Sequence, residues 1–171
     1  MIQIRTEILE DRMAVKEVNT LAFEREEEAN FVNEIRSSEN FIPALSLVAI
    51  KGEEVVGHIL FSRITVKTAN EEIPILALAP MAVKPAFQNQ GIGSRLVEEG
   101  LEMCRNTEYP LVVVLGHSQF YPRFGFSPAR PKGIEPPFDV RDEVFMVIEL
   151  KSGALEKIRG KVKYPPAFDQ V

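Results

Sequence analysis

The stretch Gln88-Asn89-Gln90-Gly91-Ile92-Gly93-Ser94 carries residue types and a spacing that could do chemistry. It follows an apolar run, 73–83, and opens a segment, 91–105, patterned as an amphipathic helix. Ile92, Leu96, Val97, Gly100, Leu101 and Cys104 fall on one face of that segment, with Arg95, Glu98, Glu99 and Glu102 on the other. The first turn of a helix leaves about four backbone N–H groups unpaired and carries a partial positive charge. Glycines there let the chain turn tightly and let a bulky anion come close. Two readings fit: a plain strand-to-helix turn, or a cradle of main-chain donors for a pyrophosphate. Leu96 stands where a dinucleotide fingerprint needs a third Gly or Ala. Ser94-Arg95 follow Gly93 where a P-loop needs Lys and Ser or Thr. The common nucleotide motifs are therefore excluded.

Two neighbouring segments bear on the choice. Pro80 interrupts the apolar run, and a proline inside a strand marks an edge or a bulge. A bulge would part this strand from a parallel partner at 110–116 and free backbone groups of Met81 and Val83 for an extended ligand; an edge proline would do neither. Beyond 110–116 stands Phe120-Tyr121-Pro122-Arg123-Phe124-Gly125-Phe126. Its phenylalanines read as packing, whereas the Tyr121 hydroxyl can donate a proton or a hydrogen bond. Arg123 is either a phosphate partner or an exposed cation. His117, an imidazole with an ordinary pKa of about 6.5, is either a general base or a turn residue, and His58 is a weaker candidate for the same task. Glu26, Glu27 and Glu28 either attract a cation or form a solvated helix face. Cys104 belongs to the core.

The elements that must position these residues follow from periodicity. Residues 2–8 alternate as a half-buried strand. A helix begins at Asp11, a candidate N-cap, with Val15, Val18, Leu21 and Ala22 recurring at helical spacing. A second helix, about 25–38, buries Phe31, Val32 and Ile35. Two strands meet in a hairpin at Lys51-Gly52-Glu53-Glu54. The strand at 73–83, the helix at 91–105 and a doubly buried strand at 110–116 come next. A short helix in 118–126 has Ser118 as cap and Gly125 as stop. A proline-rich link, 128–137, leads to a strand at 143–150, and the tail forms a short helix and an extended end. The order β-α-α-β-β-β-α-β-α-β predicts an α/β (α+β) fold: a mixed, mostly antiparallel sheet of about six or seven strands with helices on both faces. One domain covers 1–150, and 151–171 is a C-terminal extension packed on it.

Bulk composition narrows the function classes. The 171 residues suit one domain with a sizeable core. Twenty Lys and Arg against 25 Asp and Glu give a net charge of −5, which is no footprint for nucleic acid and is compatible with a cationic substrate. A single cysteine excludes an intrachain disulfide and a cysteine-rich zinc site, and the two histidines match no metal spacing. No metal is expected. No apolar run approaches the roughly 18 residues of a membrane span, and the first residues lack the apolar core of a signal peptide. The expectation is a cytoplasmic protein without membrane contact.

The glycine turn resembles the acetyl-CoA signature of the GCN5-related N-acetyltransferases, Gln/Arg-x-x-Gly-x-Gly/Ala, and the segment 120–126 resembles the tyrosine-bearing stretch after their fifth strand. The element order matches from residue 2 to about 150. Within that superfamily, 82–102 together with 112–126 and 160–168 are similar to the YhbS-like bacterial acetyltransferases. The resemblance implies an enzyme that moves an acetyl group from acetyl-CoA to a primary amine by direct attack in a ternary complex. It implies that the backbones of Met81, Ala82 and Val83 hold the pantetheine arm. Gln88, Asn89, Gln90, Gly91, Ile92, Gly93 and Ser94 would hold the pyrophosphate, and Tyr121 would protonate the departing thiolate. Many members carry a Glu or Asp base on the fourth strand, and 73–83 contains none; His117 is the candidate base, and a water chain or an amine already partly neutral would also suffice. The acceptor is a small-molecule amine or an amine of a peptide or protein, and the chain is a monomer or homodimer. The missing carboxylate keeps a second reading open, a non-catalytic acyl-CoA-binding or sensing module.

Overall fold

The computed structural model describes residues 1–171, the side chain of Gln170 excepted. The chain divides into two compact units, Met1–Ser62 with Ala79–Met103 and Pro166–Val171, and Arg63–Leu78 with Cys104–Pro165.

In the first unit, β1 (Ile2–Thr6) pairs antiparallel with β2 (Ser46–Lys51), from Ile2↔Lys51 to Thr6↔Leu47. The hairpin into β3 (Glu54–Lys67) closes at Lys51↔Glu54 with Gly52 at φ +65°, a left-handed conformation that glycine adopts without steric cost. The β2–β3 register shifts between Ala49 and Ile50, which leaves Val56 without a partner on β2. Its carbonyl instead accepts the Lys84 N–H at 2.9 Å, just past the end of β4 (Glu72–Val83). β4 itself runs unbroken through a cis Ala79–Pro80 peptide, and the register shift opposite Ala49 and Ile50 is a bulge on β3.

Two helices cover this part of the sheet, α1 (Arg12–Phe23) and α2 (Glu27–Arg36). Their buried residues, Val15 and Val18 on one and Phe31, Val32 and Ile35 on the other, pack with Val48, Ile50, Val55 and Leu60 in one core cluster. The C-terminal 3₁₀ turn Pro166–Gln170 adds Ala167, and Phe168 meets Phe31 edge-on at 4.6 Å. Two expectations at the helix starts are corrected. A 3₁₀ turn, Leu9–Asp11, precedes α1, so Asp11 does not cap it by a side-chain bond. Its carboxylate accepts the Ile8 N–H at 2.8 Å and the Arg5 guanidinium at 2.7 Å, and the hydrogen bond from Arg5 holds it below the usual carboxylate range. Glu28 is buried rather than solvated, because Arg25, just ahead of α2, pairs with it; Glu26 and Glu27 are exposed.

In the second unit, β4 runs parallel to β5 (Leu111–Leu115) at Leu76↔Val112 and Ala77↔Val113. Antiparallel to β5 lies β8 (Phe145–Glu149), which also pairs with the two-residue β6 (Ser127–Pro128). The tail supplies α4 (Ala154–Lys157) and β9 (Gly160–Lys163), which pairs antiparallel with the end of β3 and parallel with β7 (Ile134–Glu135). Hydrogen bonds order the main path β1-β2-β3-β4-β5-β8-β6, nine strands with β7 and β9 included. This is the mixed, mostly antiparallel sheet expected, enlarged by three short strands.

Helix α3 (Ile92–Arg105) buries the face its sequence pattern marks, with Ile92, Leu96, Val97, Leu101 and Cys104 all inside. A glycine seats it: a Cβ on Gly57 of β3 would stand 3.0 Å from Leu96 Cδ1 and 3.3 Å from the Ala82 carbonyl. Only a bare backbone at that point lets the helix lie so close to the strands.

Candidate functional site

The turn before α3 is built from local rules. Lys84-Pro85-Ala86-Phe87 leaves β4 as a 3₁₀ turn, Pro85–Phe87, in which the N–H groups of Phe87 and Gln88 donate to the carbonyls of Lys84 and Pro85. Asn89 then sits at φ +63° and Gly91 at φ +83°. Asparagine is one of the few side chains that tolerate the left-handed region, and glycine enters it freely. Arg95 N–H donates to the Gly91 carbonyl at 3.1 Å, so the N–H groups of Ile92 and Gly93 stand ahead of the helical ladder. A Cβ built on Gly91 meets no atom within 4 Å. The turn is therefore open on its outer side, its glycine set by conformation and not by crowding. Gln88, Asn89, Gln90 and Gly91 are exposed.

The turn and the end of β4 are linked directly. Gln88 Nε2 donates to the Val83 carbonyl at 2.9 Å, so that oxygen, expected to be free, already has a partner. Ala82 and Val83 are buried and Met81 is half-buried. Lys84 fixes the same corner from below: its ammonium pairs with Glu54 at 2.9 Å and Glu17 at 3.6 Å, and the hydrogen bond with Glu54 raises its pKa. Lys51 lies 5.4 Å over the Phe87 ring. Nothing in the order of residues announces Lys84, because its partners come from a hairpin and a helix distant in sequence. Asn89 was more legible, since Asn before Gln-Gly is a residue suited to positive φ.

The second unit holds the tyrosine segment. After β5 the chain turns at Gly116-His117, and the His117 carbonyl accepts the N–H groups of Phe120 at 3.1 Å and Tyr121 at 3.4 Å. This carbonyl, not Ser118, caps the segment, which is a 3₁₀ helix, Tyr121–Phe124, stopped by Gly125 at φ +105°. The Tyr121 ring is buried, edge-on to Phe120 at 5.0 Å and to Phe126 at 5.7 Å. Burial alone pushes its hydroxyl pKa up to about 12, with no hydrogen bond contributing. The phenol is accordingly protonated throughout the neutral range. Phe126 is buried as expected, while Phe120 and Phe124 are half-buried and carry the Arg123 guanidinium at 4.7 and 5.5 Å from their ring centroids. His117 itself is exposed.

The other imidazole is unsuited to act as a base. His58 is wholly enclosed on β3, and burial, helped by the charge of Arg36, lowers its pKa to about 3. Asn19 Nδ2 faces its Nδ1 at 3.2 Å while also donating to the Val15 carbonyl. An amide N–H facing Nδ1 makes that atom the acceptor and puts the proton on Nε2, 3.1 Å from Ser46 Oγ. Ser46 in turn donates to Glu7 at 2.8 Å, and Glu7 pairs with Arg36, both side chains buried. The chain Arg36–Glu7–Ser46–His58–Asn19 ties both helices to β2 and β3. Cys104 is fully buried, and burial lifts its thiol to about 12. Among the described residues, no cluster of three or more His, Cys, Asp or Glu is placed to hold a metal, and no helix is long and apolar enough to cross a membrane.

Comparison with known proteins agrees with this geometry. The acetyltransferase (GNAT) domain family matches residues 43–128. The chain is 41% identical over 134 residues to YjhQ of Escherichia coli, described as an uncharacterized N-acetyltransferase, covering 78% of this chain and 74% of that protein. The crystal structure of the GNAT family N-acetyltransferase YhbS from Escherichia coli, in complex with CoA, superposes with a TM-score of 0.90 at 30% identity, over 98% of this chain and 92% of that one. A GNAT family acetyltransferase from Brucella melitensis, in complex with acetyl-CoA, gives 0.80 at 29% identity, over 99% of both. A mixed sheet with β4 and β5 parallel, an open glycine turn and a helix behind it is the scaffold of an acyl-group transferase. The chain belongs to the GNAT family and is an N-acetyltransferase of that family.

Proposed function

We propose that this enzyme transfers the acetyl group of acetyl-CoA to a primary amine, in the cytoplasm, by direct attack in a ternary complex. The observation that carries the reading is the turn at Asn89 and Gly91, left-handed at both and open beyond Gly91, at the mouth of α3. Main-chain donors at a helix start suit a pyrophosphate, and the space beside Gly91 is open to 4 Å. The CoA and acetyl-CoA bound to YhbS and to the Brucella melitensis protein support the same donor here.

Acetyl-CoA supplies an activated acyl group as a thioester. Gln88 through Ser94 hold its pyrophosphate, and the backbones of Met81, Ala82 and Val83 hold its pantetheine arm. The amine nitrogen bonds to the thioester carbon, the carbon–sulfur bond breaks, and the Tyr121 hydroxyl passes its proton to the sulfur. His117 takes the proton that the amine sheds. A phenol at about 12 is a weak acid toward a thiolate in water, whose conjugate acid lies near 8.5. Desolvation raises thiols as well, as it does Cys104, so a buried sulfur and a buried phenol are matched. Orienting amine and thioester supplies much of the rate.

A second reading rests on the base. The carboxylate on β4 is Glu72, exposed at the end opposite Val83 and accepting from Thr65 Oγ1 at 3.1 Å. A pocket without a carboxylate base suits an acyl-CoA sensor. Thermal shift with acetyl-CoA, CoA, ATP and NAD, followed by thiol release with a panel of small and peptide amines, separates the readings. We expect stabilisation by acetyl-CoA and CoA, and thiol release accelerated by an amine. Stabilisation without acceleration by any amine favours the sensor, and stabilisation by ATP or NAD alone overturns both.

A further inference from the structure

The residue at the end of β5 has a role that the chemistry above does not assign. A Cβ built on Gly116 would stand 2.5 Å from Tyr121 Cε2, 3.1 Å from Cδ2 and 3.5 Å from Cζ. All three atoms lie along one edge of the phenol ring, toward its hydroxyl. Ordinary contact begins near 3.4 Å, so the ring would have to withdraw by about 1 Å to accept a methyl group.

Neither partner is loose. The Gly116 N–H donates to the Val144 carbonyl at 2.9 Å, continuing the β5–β8 pairing one step beyond Leu115↔Phe145. The ring is held on other sides by Phe120 and Phe126, and the Tyr121 backbone N–H donates to the His117 carbonyl. Gly116 is not among the positive-φ glycines, whereas Gly125, at the other end of the segment, is at φ +105°. Gly125 is required for its backbone. An alanine at 116 meets no such conformational penalty, so its effect passes through the tyrosine ring.

We infer that Gly116 is the positioning residue for Tyr121: the absence of a side chain at the end of β5 seats the phenol in the pose from which it acts. This rests on the reading of Tyr121 as the proton donor. A misplacement of about 1 Å costs roughly a hundredfold in rate.

The test separates ring placement from turnover. Protein labelled with 3-fluorotyrosine carries three fluorine resonances, one per tyrosine, and that of Tyr121 is the one lost in Tyr121→Phe. In Gly116→Ala this resonance should move and titrate at lower pH than in the parent protein, because the ring is less buried, while the other two stay. Thiol release from acetyl-CoA with water as acceptor should fall about a hundredfold, with KM for acetyl-CoA unchanged. An unmoved Tyr121 resonance in folded Gly116→Ala overturns the inference, as does full turnover there beside a slowed Tyr121→Phe. If Gly116→Ala does not fold, Gly116→Ala with Tyr121→Ala should fold, since the ring is gone; a double variant equally unfolded refutes the assignment. A moved resonance with thiol release unaffected in both Gly116→Ala and Tyr121→Phe leaves the ring contact standing and removes the proton-donor reading on which its role depends.

Discussion

His58 makes the fold sensitive to mild acid, and the size of the effect follows from its burial. In the folded chain its pKa is lowered to about 3 from an ordinary 6.5, by desolvation first and by the Arg36 charge second. The unfolded chain binds a proton below 6.5 and the folded chain does not until about 3, so stability is complete above 6.5 and is lost as pH falls through that window. At pH 5 the unfolded state gains about 1.4 kcal/mol for each of the 1.5 pH units below 6.5, close to 2 kcal/mol. The result needs only that the folded pKa lie well under 5. Urea unfolding followed by far-UV circular dichroism between pH 8 and 5 reads it directly, the chain having no tryptophan. The chain's one other histidine, His117, is exposed. Wild type should lose about 2 kcal/mol, and His58→Gln, whatever its absolute stability, should show a nearly flat profile. An equal slope in the variant would refute the assignment of the acid sensitivity to His58.

Three further outcomes are expected. Tyr121→Phe should slow thiol release by about 10²–10⁴-fold while leaving acetyl-CoA affinity unchanged, as a titration of binding beside steady-state rates will show. Gly100→Ala should destabilise by about 1–3 kcal/mol in urea, since its Cβ would lie 2.5 Å from the Phe61 ring. Arg36→Met should cost about 3–5 kcal/mol on the same assay, because it leaves the buried Glu7 carboxylate without its cation.

The parts of this molecule with strong periodicity were legible in the sequence. The inner face of α3, the hairpin at Gly52 and the core residues of α2 follow from spacing and turn chemistry alone, and the glycine turn was legible as a tight turn at the mouth of a helix. What escaped depends on contacts between distant residues. Glu28 reads as solvated until Arg25 is seen folded over it, and Asp11 reads as a cap until a 3₁₀ turn and Arg5 claim its carboxylate. Strands as short as Ser127–Pro128 and Ile134–Glu135 have no period to detect. The buried chain from Arg36 to Asn19 joins five residues from four elements and β1's exit, and no local pattern marks it. Gly116 carries no signal either, since a glycine after a strand is ordinary until a ring is found against it.

The central claim is that the turn before α3 is the phosphate cradle of an acetyl-CoA site. Calorimetric titration of acetyl-CoA into wild type, Gly91→Ala and Gly91→Glu tests it most directly. Alanine and glutamate share the conformational cost of a side chain at φ +83°, and only glutamate fills the open side and charges it. Wild type should bind, Gly91→Ala should bind more weakly, and Gly91→Glu should show no binding while remaining as folded as Gly91→Ala. Acetyl-CoA binding to Gly91→Glu as tight as to Gly91→Ala would contradict the account.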